Sequence, residues 1–202
     1  MQLEWTREAR DCVWQAIVKE KICNQAALLR RIGKCQESDL LLRYAQEVGL
    51  GDRSNREGVA AKAYFAGLFG NDFTREKRCD INAALDYGYQ VMLSVFAREV
   101  AVEGYVTELG IFHDNVYNNY NLASDLIEPF RPLVDAVVRD WFSNLAQEFD
   151  KDLKRKLVGI LHDEVKIDGS SKTVINAIIS YTRSVTDALT TGDITGLRFI
   201  GR

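Results

Sequence analysis

Asp80-Ile81-Asn82-Ala83-Ala84-Leu85-Asp86-Tyr87-Gly88-Tyr89-Gln90-Val91-Met92-Leu93-Ser94-Val95-Phe96-Ala97-Arg98-Glu99-Val100 is the stretch whose reading decides the fold. It has no proline, and its apolar residues recur nearly all round a 3.6-residue turn. The pattern predicts a helix over 80–103 with no watery face, at the buried centre of a domain. Outward from it, the same periodicity predicts helices over 3–32, 38–47, 54–70, 121–128, 130–148, 151–162 and 174–190, with breaks at Gly33, Gly49/Gly51 and Gly70. Between 104 and 121 the pattern dissolves into loop formers, including Gly104, Gly110, Asp114, Asn115, Asn118 and Asn119. Residues 165–174 read as a small β-hairpin turning at Asp168-Gly169. The fold class expected is mostly α, with one helical domain over 1–190 and a flexible C-terminal tail over 191–202.

Composition narrows the function. The 202 residues are 47% hydrophobic and 27% charged, with two prolines, the balance of a globular chain rather than a disordered one. Lys62 and the Arg98-Glu99 pair interrupt the richest apolar stretches, so no membrane span is predicted. Met1-Gln2-Leu3-Glu4-Trp5-Thr6-Arg7-Glu8 carries acids and no apolar run, so no secretory signal is read and the expected location is the cytoplasm. Cys12, Cys23, Cys35 and Cys79 have spacings that fit neither a zinc ribbon nor a CxxC pair, and read as buried reduced thiols.

A formal net charge of −3 argues against a chain coated with positive charge. Its distribution is uneven. From Glu99 to Glu128 there are six acids and no Lys or Arg, whereas Arg53 to Arg78 carries six bases against three acids. An acidic stretch holding a histidine, flanked by basic ones, suits a cation site beside a polyanion; solvated helix faces give the same pattern.

Three groups could carry chemistry. Ser54-x-x-Glu57 fits a capping box, with Glu57 reaching back to the Ser54 N–H. His113-Asp114 lies in the loop. Asp125 and Glu128, three apart, share one helix face. Together the carboxylates and the imidazole suit Mg²⁺ or Mn²⁺ with open water positions. Such an ion would polarise a phosphodiester and activate an oxygen nucleophile. A metal phosphohydrolase using His113-Asp114 and His162-Asp163 is a rival, strained because the chain has only two histidines. A non-catalytic DNA- or protein-binding helical module is another.

Five blocks stand out along the chain: Asn55-Arg56-Glu57-Gly58 through Tyr64-Phe65, Asn82-Ala83-Ala84-Leu85-Asp86-Tyr87-Gly88-Tyr89, Phe96-Ala97-Arg98-Glu99-Val100, Gly110-Ile111-Phe112-His113, and Asn121-Leu122-Ala123-Ser124-Asp125-Leu126-Ile127-Glu128-Pro129-Phe130-Arg131-Pro132. In these blocks the chain resembles the CRISPR-associated "Cas-one" endonuclease/integrases, most closely the type II subfamily, from Trp5 to about Leu189. The resemblance implies metal ligands at Glu57, His113 and Glu128, with Asp125 at an accessory acidic position. It implies insertion of spacer DNA into a repeat array by transesterification, a 3′-hydroxyl attacking a phosphodiester. Arg53, Arg56, Lys62 and Arg131 are candidate DNA contacts, or members of an ion-paired face. The implied partners are DNA, a "Cas-two" subunit, for which Leu197, Phe199 and Ile200 form a candidate docking segment, and a second copy of the chain. The family's N-terminal β-rich domain has no counterpart in these residues, so homodimer pairing is expected to be weakened.

Overall fold

The computed structural model describes residues 2–143 and 148–201. Among these residues it is mostly α-helical: α1 Arg7–Arg31, α2 Cys35–Gln46, α3 Arg56–Phe69, α4 Asp80–Val102, α5 Asn121–Leu126, α6 Arg131–Phe142, α7 Lys151–Gly159 and α8 Val174–Thr191. One antiparallel hairpin, β1 Glu164–Ile167 and β2 Ser170–Thr173, interrupts them before α8. Asp168 and Gly169 both take positive φ, 55° and 72°, the backbone a two-residue hairpin turn needs. The helix expected over 130–148 ends at Phe142, and 144–147 lie outside the described residues. No helix among the described residues is long and apolar enough to cross a membrane.

The helices begin and end where their chemistry directs. The Thr6 hydroxyl accepts the Ala9 N–H at 3.1 Å to open α1. Asp150 accepts the N–H groups of Asp152 and Leu153 to open α7. Gly192, in the left-handed region at φ 78°, closes α8.

The centre of the molecule is α1, which corrects the expectation for 80–103. Val13, Ile17, Val18, Ile22 and Leu29 of α1 are fully covered, and α1 packs against α2, α3, α5, α6 and α8. By contrast, Ala83, Asp86, Gln90, Ser94 and Arg98 of α4 form an exposed stripe. That stripe is small and polar, so a count of large apolar residues overstates how completely the helix is covered. The α4–α6 contact is close at Gly88, where an added Cβ would lie 2.5 Å from a Val134 methyl.

The segment expected as a flexible tail is packed instead. Ile200 is buried and bridges Ile167 of β1, the Gly201 N–H donates to Lys166 O at 2.6 Å, and Leu197 and Phe199 lie against the core. Ile200 is therefore used within the chain, while Leu197 and Phe199 are only partly buried. The thiols are free, as read, but Cys35 is exposed and the other three are only half-buried.

Candidate metal centre

The site is assembled around the start of α3. Asp52 and Asn55, at φ 44° and 51°, turn the chain sharply before the helix. The Asp52 carboxylate accepts the N–H groups of Arg56 and Glu57 at 2.8 and 2.9 Å, and Asn55 Oδ1 accepts that of Gly58 at 3.1 Å. These two side chains satisfy the helix's first donors, so the expected Ser54–Glu57 capping box is not made. The Glu57 carboxylate is left to face inward, where it accepts from the Lys21 ammonium of α1 at 2.5 Å.

Glu128 reaches the same ammonium from the opposite side. It opens a short 3₁₀ turn, Glu128–Phe130, fixed by Pro129 between α5 and α6. Its side chain is 4% exposed; Oε1 accepts from Arg131 Nε at 2.9 Å, and Oε2 pairs with the Lys21 ammonium. Burial alone would push the Glu128 carboxyl up, but the Arg131 and Lys21 charges outweigh it and hold the group at about 2. Burial likewise opposes the charge on Lys21, and Glu128 and Glu57 reverse that, raising it above its ordinary value. Arg131 stacks over the Tyr89 ring, 4.5 Å from its centroid. A cavity of about 220 Å³ opens over this group, with Gln25, Arg75, Tyr89 and Asp135 also in its lining.

His113 is held by Asp125. The buried Asp125 carboxylate of α5 accepts the consecutive N–H groups of Ile111, Phe112 and His113 at 2.6, 3.0 and 3.1 Å. It also meets His113 Nδ1 at 2.6 Å. The expected accessory metal acid therefore acts as the anchor of the histidine loop. Gly110 makes the wrap feasible, because a Cβ there would collide with the His113 carbonyl oxygen and crowd the carboxylate. Phe112 stacks on the buried Trp14, ring centroids 4.6 Å apart and planes within 3°. With Nδ1 tied to Asp125, Nε2 is the nitrogen free to ligate. That hydrogen bond, ahead of the opposing effect of burial, raises the His113 pKa, and the charges of Glu128 and Glu57 add to it.

The structure thus brings Glu57 and Glu128 onto one cation and places His113 within their electrostatic influence. Among the described residues no three His, Cys, Asp or Glu side chains are close enough to form a ready-made cage. The donor types still suit a hard divalent ion: the carboxylates of Glu57 and Glu128, which meet on one cation, and an imidazole whose Nε2 is not engaged by Asp125. Of the candidate DNA contacts, Arg131 lies in the site. Arg53 is exposed and pairs with Asp11, Arg56 pairs with Glu47 at 3.1 Å, and Lys62 is exposed on α3. His162 and Asp163 are exposed in the turn before β1, on a segment that does not line the cavity at Lys21. Lys21, Asp135, Tyr64 and Tyr89 were not singled out from the sequence. The available signal was a charged residue on an otherwise covered helix face: Lys21 beside Ile17, Val18 and Ile22, and Asp135 beside Val134 and Val138.

Comparison with known proteins identifies the family. The family model described as CRISPR associated protein Cas1 matches residues 1–178. The chain belongs to this family. It is 37% identical over 193 residues to a CRISPR-associated endonuclease Cas1 of Neisseria meningitidis serogroup C, covering 93% of this chain and 64% of that relative. A Thermus thermophilus CRISPR-associated endonuclease Cas1 is 32% identical over 140 residues, covering 63% of this chain and 44% of that protein. In structure it resembles a casposase bound to integration product, with a TM-score of 0.72 at 22% identity, over 93% of this chain and 66% of that one. A Cas1 protein from Thermotoga maritima superposes with a TM-score of 0.76 at 16% identity, over 96% of this chain and 70% of that one. At these identities the two structures establish a shared fold for the helical unit.

Proposed function

We propose that this helical unit carries the catalytic centre of a divalent-metal-dependent DNA endonuclease/integrase of CRISPR adaptation. The observation that carries the reading is the meeting of Glu57 and Glu128, distant in sequence, on one buried cation beneath a cavity that Arg131 also lines. Glu57, Glu128 and His113 Nε2 would hold Mg²⁺ or Mn²⁺. When bound there, such an ion lowers the pKa of an attacking hydroxyl and offsets charge on a phosphate.

The chain's own residues supply the rest. Arg131 and Arg75, which line the cavity, would hold phosphodiester oxygens. Asp125 engages Nδ1 of His113, which leaves Nε2 as the nitrogen that would ligate. In strand transfer a spacer 3′-oxygen bonds to phosphorus at the repeat. The displaced 3′-oxygen of the repeat strand leaves and takes up a proton. Water in place of the spacer hydroxyl gives nicking. DNA, the family's small partner subunit and a second copy of the chain are the proposed partners.

The test is strand transfer or nicking on branched DNA with Mn²⁺ or Mg²⁺. His113→Ala and Glu128→Ala should each lower the rate on the order of 100-fold or more. DNA binding should fall much less, because phosphate contacts do not need the ion. Folded variants that keep full metal-dependent cleavage would refute the assignment. A parent that binds DNA but cleaves it under no divalent condition would favour a binding module.

A further inference from the structure

We propose that Lys21 is the site's built-in counter-cation: its ammonium occupies the place between Glu57 and Glu128 that a divalent ion takes, and the ion displaces it toward Gln25. This deepens the metal-dependent reading above and rests on it.

Three observations carry it. Lys21 is a buried lysine, its side chain 8% exposed, and it pairs with the two carboxylates expected as metal ligands. The buried Glu128 carboxylate beside the half-buried Glu57 would carry a desolvation cost without a cation between them, so an internal ammonium stabilises the ion-free protein. Second, Glu128 Oε1 is taken by Arg131 Nε at 2.9 Å, whereas Oε2 is in contact with the Lys21 ammonium, so Lys21 is the cation an incoming ion would have to replace there. Third, Gln25 lies one turn further along α1, is 2% exposed, and lines the same cavity. Its Oε1 is a buried acceptor with no hydrogen-bond partner. An unsatisfied acceptor four residues from a lysine lies within reach of that lysine's flexible stem. The cavity of about 220 Å³ gives the ammonium room to move there. The ion-bound site would then satisfy Gln25 as the ion-free site satisfies the carboxylates.

The two positions give opposite signs. Lys21→Met removes the competitor and should tighten Mn²⁺ binding about tenfold, while Gln25→Leu removes the receiving acceptor and should weaken it about tenfold. A merely structural role for either side chain would lower affinity in both. Mn²⁺ binding is read by electron paramagnetic resonance on the full chain, with His113→Ala as the site control. Lys21→Met should also melt at lower temperature without the ion and recover more on adding Mn²⁺ than the parent does.

In the unaltered protein, titration with Mg²⁺ should shift the Lys21 ¹⁵Nζ resonance as the ammonium leaves the carboxylates. This measurement decides the matter if Lys21→Met does not fold. Mn²⁺ binding that His113→Ala abolishes, but that Lys21→Met leaves unchanged or weakens, overturns the displacement while the metal site stands. A Lys21 resonance unmoved by saturating Mg²⁺ overturns it equally. A parent that binds no ion sensitive to His113→Ala overturns the metal reading, and this inference with it.

Discussion

Asp125 shows how much local structure one buried carboxylate can set. Its two oxygens hold three consecutive backbone N–H groups and the His113 ring, so loop shape and ring orientation are fixed by one buried carboxylate. Burial favours its neutral form and raises its pKa, against the stabilising contacts from His113 and the loop N–H groups. Asp125→Ala leaves these donors without an acceptor in a covered place. It should cost about 3 kcal/mol or more in urea denaturation. It should also weaken Mn²⁺ binding about 10–100-fold, as loss of a ligand-orienting partner does. Unchanged metal affinity in a folded Asp125→Ala chain would show that the ring needs no such anchor. The sequence offers His113 in a loop and Asp125 on a helix face as separate groups, and the resemblance implies His113 as a metal ligand and Asp125 as an accessory acid. It did not reveal their separate roles, because spacing on a helix face cannot tell a carboxylate that binds an ion from one that binds a loop.

At the scale of elements, the N-terminus of α3 shows a local signal outcompeted by a neighbouring one. Ser54 and Glu57 have capping-box spacing, but Asp52 and Asn55 provide the caps from a turn of left-handed residues. Asp52 bonds two N–H groups at once, and that frees Glu57 for Lys21. Asp52→Ala should therefore cost about 1–2 kcal/mol in chemical denaturation, the range of a lost N-cap. Ser54→Ala should leave stability nearly unchanged. A larger loss in Ser54→Ala than in Asp52→Ala would contradict the hydrogen bonds described. The hairpin is the opposite case. Asp168-Gly169 carries its own backbone preference, and nothing nearby overrides it. Elements specified within a few residues were thus legible, and those decided by competition among caps were not.

At the scale of the molecule, what could not be read was which helix lies at the centre. Apolar content pointed to α4, yet α1 is enclosed on more sides, and its buried Lys21, Asn24 and Gln25 made it look more like a surface helix. A lone lysine in a helix is ordinarily solvated, so its burial emerges only once the carboxylates of α3 and the 3₁₀ turn are in place. A second buried polar knot ties α3, α4 and α6 together. Asp135 of α6 accepts from Tyr64 OH of α3 at 2.8 Å and from Tyr89 OH of α4. Burial pushes its carboxyl up to about 6, although the hydrogen bonds of Tyr89 and Tyr64 and the charges of Arg131 and Arg75 pull the other way. The ordinary value is 3.8, so between the two the folded protein keeps a proton that the unfolded chain releases. The stability this group contributes is full below the unfolded value and is lost as pH rises through about 6, a change of about 3 kcal/mol. Glu128 acts in the opposite sense but in a lower window, losing its contribution as pH falls from 4.5 through about 2. It is common to parent and variant. Asp135→Asn cannot titrate, so subtracting the two unfolding free energies isolates the knot. Whatever the variant's stability at about pH 4, it should gain on the parent by up to about 3 kcal/mol on going to about pH 7, measured by urea denaturation. Parallel profiles across that range would show that Asp135 ionises in the folded protein as it does in the unfolded chain.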